Sequence, residues 1–129
     1  LTIQKKAVRI ITKSSFKAHS SPLFKKLNLL QIGDLSKLQL AVFMYKLHAN
    51  QLPPSLKAYF TTNSCIHSYN TRQARNFHLF SLNTSHRRNS IVASGPKLWN
   101  GLPENTKTAS SLALFKRNLK LLLLANYTP

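Results

Sequence analysis

The stretch DLSKLQLAVFMYKLHAN, residues 34–50, decides the fold class because it carries apolar side chains on most sides of a helix. One stripe at helical spacing holds Leu35, Leu38, Val42 and Tyr45, and a second holds Leu40, Phe43 and Leu47. A helix that is apolar on most sides is usually buried by several neighbours. We therefore predict that this helix is the hub of the core, with Asp34 as its N-cap and an end at Asn50.

The sequence shows helical periodicity on either side of this hub. IQKKAVRIIT, near the start, predicts a helix with its basic residues outward and four apolar side chains inward, namely Ile3, Ala7, Ile10 and Ile11. SSLALFKRNLKLLLLAN, further along, predicts a helix that Ser110 or Ser111 caps. Its predicted inward positions are Leu112, Phe115, Leu119 and Leu122.

The middle region, residues 61–90, differs in composition, since Ser, Thr, Asn, His and Arg dominate it. Within it NFHLFSL alternates apolar and polar residues and SIVAS follows, so the region allows a short β-hairpin. We predict a mainly α fold in which residues 1–129 form one small helical domain around the central buried helix. Residues 61–90 are predicted to be a polar, basic loop within it.

The stretch SGPKLWNGLP, residues 94–103, is punctuated by glycine and proline, which predicts a turn, a brief helical piece and a second turn. Trp99 lies in its middle, between two leucines. A large aromatic residue at such spacing usually packs inward. We predict that Trp99 anchors the core rather than offering a stacking surface.

The charge balance indicates the class of partner. The chain has 19 Lys and Arg against two acids, for a formal net charge of +17. Such a chain attracts polyanions. Nucleic acid is the commonest polyanion and an anionic membrane the second, while a merely solvated basic surface is the third reading. We expect nucleic acid as the partner and no membrane.

The sequence lacks the sets of residues that the common catalytic mechanisms require. Two-metal phosphoryl transfer needs clustered carboxylates, and the chain has only Asp34 and Glu104. Cys65 and His67, which would share one face of a strand, have no acid nearby to orient them as nucleophile and base. The cysteine and histidines also lack the paired spacing of zinc sites, and no glycine-rich phosphate loop occurs. We therefore expect no enzyme activity, no metal and no cofactor.

Two basic zones are the candidate binding sites. In the middle region the candidates are Tyr69, Arg72, Arg75, Arg87 and Arg88. On the first helix they are Lys5, Lys6 and Arg9, for which a solvated helix face is the alternative. Arginine matches phosphate geometry and aromatic rings stack on bases, a pairing that suits single-stranded or structured RNA. Tyr69, in CIHSYNTRQA, either stacks on a base or fixes the loop to the core.

An ordered set of motifs resembles a known family. RIIT, PLFKKLNLLQIGDLSKLQLAVFMYK, LPPSL, HSYNTR, GPKLWNGLP and FKRNLK follow one another between Ile3 and Leu124. This order resembles the C-terminal region of reverse transcriptases encoded by LINE-type, jockey-like non-LTR retrotransposons. HSYNTR together with GPKLWNGLP is the most specific part of the resemblance.

The resemblance implies a non-catalytic tail of an RNA-directed DNA polymerase, the part after the thumb, which helps to hold template RNA or primer DNA. The catalytic aspartates of the family's polymerase palm have no match in this chain. Upstream polymerase domains are an implied partner. The open alternatives are a degenerate fragment without retained activity and a protein-interaction module that docks on the polymerase. A single cysteine favours a reducing, intracellular compartment, cytoplasmic or nuclear.

Overall fold

A computed structural model describes residues 1–127, so the last two residues of the predicted domain lie outside the described part. Within that part the chain is mainly helical, which confirms the predicted fold class. The longer helices are α1 (Thr2–Ile11), α3 (Ile32–His48), α7 (Ile91–Asn100) and α9 (Leu112–Ala125). The shorter ones are α2 (Ser20–Lys26), α4 (Pro54–Lys57), α5 (Asn63–Ile66), α6 (Ser85–Arg88) and α8 (Glu104–Lys107). Between residues 1 and 127 no helix has both the length and the apolar character needed to cross a membrane.

Helix α3 lies at the centre, where it packs against α7 and α9. Its second half supplies the buried side chains Ala41, Val42, Met44, Tyr45 and Leu47. Its first half borders solvent, since Ile32 and Leu35 are exposed. The predicted central buried helix is therefore confirmed for its second half.

Asp34 does not cap α3, because the helix already begins at Ile32. Its carboxylate lies in the first turn, where it accepts hydrogen bonds from the Tyr127 hydroxyl (2.6 Å) and from Lys37 Nζ (2.9 Å). The same Tyr127 hydroxyl accepts a bond from the Gln31 backbone N–H at 2.9 Å. One tyrosine thus joins the segment after α9 to the start of α3.

Helix α7 contains Gly95 and Pro96, where the sequence pattern predicts a turn. That prediction is wrong, because the glycine is used for close packing. A Cβ atom at Gly95 would lie 2.7 Å from Met44 Sδ, so a larger residue would force the Met44 side chain to move. Pro96 has no N–H for the Val92 carbonyl, and the helix continues past it to Asn100.

Helix α9 follows its predicted pattern with one shift. Ser111 is its N-cap, and the hydroxyl accepts a bond from the Leu114 backbone N–H at 3.2 Å. Its buried side chains are Phe115, Leu119, Leu123 and Leu124. Leu122, predicted to face inward, is exposed because the buried seam advances in steps of four residues and leaves it at the edge.

Trp99 confirms its predicted place in the core, since it is only 3% exposed. Its ring lies 6.0 Å from that of Phe115 and 5.4 Å from that of His48, measured between centroids. Tyr45 stacks on the same Phe115 at 4.6 Å. The three long helices α3, α7 and α9 therefore meet in one aromatic cluster.

The predicted β-hairpin is wrong within the described residues, because SIVAS opens helix α7 instead of forming a strand. Residues 61–64 instead run alongside residues 74–78, with one antiparallel bridge between Thr62 and Phe77. Three backbone hydrogen bonds accompany the bridge: His78 N–H to Thr61 O, Asn63 N–H to Asn76 O and Ser64 N–H to Ala74 O. The polar loop is thus closed at its base rather than free along its length.

The orientation of helix α1 is opposite to the prediction. Val8 is buried and the helix packs on α2. Ile3 is 84% exposed and Ile10 77% exposed, and Ala7 and Ile11 are exposed as well. The apolar stripe therefore faces solvent.

Gln4 explains this orientation. Its Nε2 donates to the Leu30 carbonyl at 2.9 Å, and its Oε1 accepts from the Ile32 backbone N–H at 3.0 Å. These two bonds hold the side of α1 that carries Gln4 and Val8 against the start of α3. A polar anchor decides which face is inside, and hydrophobic periodicity does not detect it.

Candidate nucleic-acid interface

A groove of about 780 Å³ lies between residues 79–82 and helices α6 and α7. One wall consists of Leu79, Phe80, Ser81 and Leu82, and the other of Arg87, Arg88, Ser90, Val92, Ala93 and Lys97. The first wall is largely apolar, whereas the second carries three cations. This combination can hold a flat apolar group beside an anionic one.

Phe80 is the aromatic residue of the groove, and 51% of it is exposed. Its ring meets that of His78 edge to face, with centroids 4.8 Å apart. The backbone N–H of His78 is bonded to the Thr61 carbonyl at 2.7 Å, so the closed base of the loop positions this ring pair. An exposed, positioned ring is the feature on which a nucleic-acid base stacks.

The arginines of α6 stand on the opposite wall. Arg88 Nε donates to the Leu82 carbonyl at 3.1 Å, which ties α6 to residues 79–82. A guanidinium has five N–H donors, so this bond leaves four for a ligand. Arg87 is exposed, and its carbonyl accepts the Ser90 hydroxyl at 2.7 Å at the junction with α7.

Among the residues that the structure describes, no carboxylate lines this groove. Asp34 and Glu104, the two acids of the chain, are paired elsewhere with Lys37 (2.9 Å) and Lys107 (3.0 Å). The cations of the groove therefore keep their positive potential for a ligand, and arginine and lysine without acidic partners favour phosphate.

Arg72, Arg75 and Tyr69 lie in the exposed loop between α5 and the antiparallel bridge, and none of them lines the groove. Tyr69 is 81% exposed, so it does not fix the loop to the core, and base stacking remains its predicted role. Of the five predicted residues of the middle region, the structure brings only Arg87 and Arg88 into the groove.

The predicted basic residues of α1 have different surroundings. Lys6 is exposed, Lys5 is half-buried, and Arg9 donates from Nε to the Ala18 carbonyl at 2.9 Å. Lys6 and Arg9 line a second groove beside α1. These residues thus form a zone of their own, and their predicted role in nucleic-acid binding stays a prediction.

Cys65 and His67 do not form a pair on a strand, since Cys65 lies in the short helix α5. Its Sγ lies 3.3 Å from the Thr62 hydroxyl, and hydrogen bonding to Thr62 lowers the pKa of the thiol. The ring of His67 neighbours that of His78 at 6.1 Å. Over residues 1–127 no group of three or more His, Cys, Asp and Glu could hold a metal ion.

Two groove residues, Phe80 and Lys97, were not among the predicted site residues. Phe80 stands in the alternating stretch NFHLFSL, which is typical of a half-buried strand. Lys97 stands in GPKLWNGLP, where glycine, proline and tryptophan indicate structure rather than binding.

Comparisons with protein-family models, curated proteins and solved structures found no significant match to the chain.

Proposed function

We propose that this chain is a non-catalytic nucleic-acid-binding module, equivalent to the C-terminal region of a LINE-type reverse transcriptase. The observation that carries the proposal is the groove, in which the described lining residues supply three cations, one exposed aromatic ring and no carboxylate. A single strand would lay its phosphates along Arg87, Arg88 and Lys97 and stack one base on Phe80. The exposed loop with Arg72, Arg75 and Tyr69 would extend the contact.

The resemblance adds two parts to the proposal. The upstream polymerase domains are a partner, and the site of action is intracellular, cytoplasmic or nuclear. The chain would then bind the retrotransposon's RNA or DNA, while other domains would catalyse the polymerase reaction.

Salt-dependent binding tests the cationic part. In the test variant Arg72, Arg75, Arg87 and Arg88 are all replaced by Gln, and labelled single-stranded RNA is titrated at several salt concentrations. Each lost phosphate contact lowers the salt slope by about 0.7 on a single strand, so we expect a loss of roughly 3 units. The matched control replaces four exposed cations of α2 and α9 by Gln: Lys25, Lys26, Lys116 and Arg117. The control has the same net charge, so it should keep most of the slope.

The stacking part has its own test. Phe80→Ala should weaken RNA binding by roughly 5- to 150-fold, because base–aromatic stacking contributes about 1–3 kcal/mol per base. Tyr69→Ala is the comparison in the loop. If only the tyrosine variant loses affinity, the base rests on the loop and not in the groove.

Three results would contradict the proposal. In the first, the control loses as much slope as the test variant, which means that net charge alone attracts RNA. In the second, the lysines of α1 carry the binding, which would assign the interface to the first helix. In the third, the wild-type chain binds neither RNA nor DNA, and a degenerate fragment is then the better description.

A further inference from the structure

Helix α1 and the turn after it present an apolar surface to solvent. Ile3, Ala7 and Ile10 lie on one face of the helix over two turns, and Phe16 follows with 76% of its area exposed. Ile10 and Phe16 line a groove of about 490 Å³ beside the helix. Soluble monomers seldom keep a contiguous apolar patch without a binding partner for it.

This surface is a fixed feature of the fold, since α1 cannot roll over to bury it without losing polar anchors. Gln4 makes two bonds to the backbone at residues 30–32, and Arg9 Nε binds the Ala18 carbonyl. Val8 is 2% exposed on the same inner side. Turning Ile3 inward would break all of these contacts.

Basic residues border the apolar surface. Lys6, Arg9 and Lys13 line the groove with Ile10 and Phe16, and no acid precedes Asp34 in the chain. A fitting partner must therefore combine apolar and acidic side chains. A second copy of the chain does not meet this requirement, because each copy carries a net charge of +17.

The side chains of this surface favour a protein helix as the partner over a nucleic-acid base or a lipid surface. The stripe is mainly aliphatic, and isoleucines pack well against Leu or Ile but offer no ring face to a base. Ala7 leaves a low point between Ile3 and Ile10, which are about 10 Å apart along the helix axis, so a second helix can approach closely. A groove that takes a protruding side chain also suits a protein ridge better than a flat lipid surface.

We propose that Ile3, Ala7, Ile10 and Phe16, with Lys6 and Lys13 at their border, form a docking surface for an amphipathic helix of another protein. The apolar face of that helix is bordered by Asp or Glu. This α1 docking surface shares no residue with the lining of the groove at α6 and α7, and Lys6 is its one residue that is also a predicted nucleic-acid contact, so Ile3 and Ile10 test the docking function separately.

A peptide selection on the full chain tests the proposal. The probe is a displayed library of peptides of about 14 residues, roughly four helical turns. We expect enrichment of peptides with Leu, Ile or Phe at helical spacing beside Asp or Glu. An enriched peptide should bind the double variant Ile3→Ser, Ile10→Ser at least about tenfold more weakly, since truncating an interface anchor commonly costs that much.

The matched control removes two exposed aliphatic side chains elsewhere, with Ile66→Ser and Leu121→Ser. It should bind the peptide like wild type, and both double variants should melt like wild type because all four positions are exposed. A charge swap sharpens the test. Lys6→Glu with Lys13→Glu should lose the acidic peptide and bind the same peptide with Lys in place of its acids.

Several outcomes would overturn the proposal. The selection enriches no acidic amphipathic peptide, or the enriched peptides bind the Ile3, Ile10 variant as well as they bind wild type. Alternatively, vesicles of phosphatidylcholine with phosphatidylserine bind through this surface while peptides do not, which assigns it to a membrane. RNA affinity is measured on the same variant, and its loss there would make the surface part of the nucleic-acid interface.

Discussion

The helical core and the middle region, residues 61–90, are held together by different forces. The core joins α3, α7 and α9 through buried side chains such as Tyr45, Trp99 and Phe115. The middle region buries only Ala74 and Phe77 and depends on backbone hydrogen bonds. Side-chain burial stabilises the first, whereas the second leaves most of its side chains exposed for a ligand.

The largest effect should come from the core. Trp99→Ala removes a buried ring next to Phe115 and His48, and we expect a loss of about 3–5 kcal/mol of unfolding free energy. Urea unfolding followed by far-ultraviolet circular dichroism measures it. Tyr69→Ala, in the exposed loop, should stay within about 0.5 kcal/mol of wild type. Similar midpoints for both variants would remove the distinction between the two regions.

A polar anchor also stabilises the core, and Tyr127→Phe isolates it. The change keeps the ring next to Phe24 but removes the hydroxyl that joins Asp34 and Gln31. A hydrogen bond to a charged group contributes about 1.5–3 kcal/mol, so we expect a loss of that size. A smaller loss would mean that apolar burial alone holds the segment after α9.

The pH dependence of this anchor has a defined sign. Partial burial tends to raise the pKa of Asp34, but hydrogen bonds from Tyr127 and Lys37 lower it below the ordinary 3.8. Its stabilising effect is therefore present above that value and is lost as pH falls through the lowered pKa. Burial and the bond to Asp34 raise the pKa of Tyr127 from 10.0 to about 12. The stabilisation that this tyrosine provides is therefore complete below pH 10 and is lost as pH rises through about 12.

Comparing wild type with Tyr127→Phe at several pH values checks both limits. The difference in unfolding free energy should be constant near neutral pH and should shrink in acid and in strong base. A difference that does not change down to low pH would show that Asp34 is not the partner that matters.

Asn100 connects the two regions. Its Oδ1 accepts from the Phe77 N–H at 3.0 Å, and its Nδ2 donates to the Phe77 carbonyl at 2.8 Å. Asn100→Ala leaves these two backbone groups without partners, and we expect a loss of about 1–3 kcal/mol. Hydrogen exchange should speed up at residues 61–78 more than in α3 and α9. Faster exchange in α3 alone would show that the loop is anchored by other contacts.

The smallest effect on stability should follow from the arginines. Replacing Arg72, Arg75, Arg87 and Arg88 by Gln should shift the unfolding free energy by no more than about 0.5 kcal/mol, since all four are exposed. Thermal melting of the variant used for RNA binding measures it. Clear destabilisation would show that these residues hold the loop together. A loss of RNA binding by this variant would then reflect a disrupted loop rather than lost phosphate contacts.

The sequence predicted the parts of the fold that depend on apolar periodicity. The second half of α3, the Ser111 cap and the burial of Trp99 agree with the structure because each follows from local spacing or from the size of one side chain. The orientation of α1 did not follow, since Gln4 binds backbone groups that lie 26 and 28 residues further along the chain. No local pattern records such a contact.

The middle region and its groove were harder to predict for related reasons. SIVAS has the composition of a strand, yet it forms the N-cap and first turn of α7, which packs on α3 with Gly95 next to Met44. The groove depends on residues 79–82 lying beside α6 and α7, where Arg88 donates to the Leu82 carbonyl, and no local sequence pattern records that arrangement. Arg87 and Arg88 could be singled out by residue type, while Phe80 and Lys97 acquire their place from the fold.

The bond between Tyr127 and Asp34 also sets an order of events during synthesis. The two residues are 93 positions apart, so a ribosome adding roughly 5–20 residues per second needs about 5–20 s to pass from one to the other. Helix α3 is complete at His48, whereas its main packing partners follow later, since α7 ends 52 residues further along at Asn100 and α9 ends 77 residues further along at Ala125. The apolar second half of α3 is made well before the two helices that cover it. A nascent chain of this protein should therefore need chaperone protection chiefly at α3.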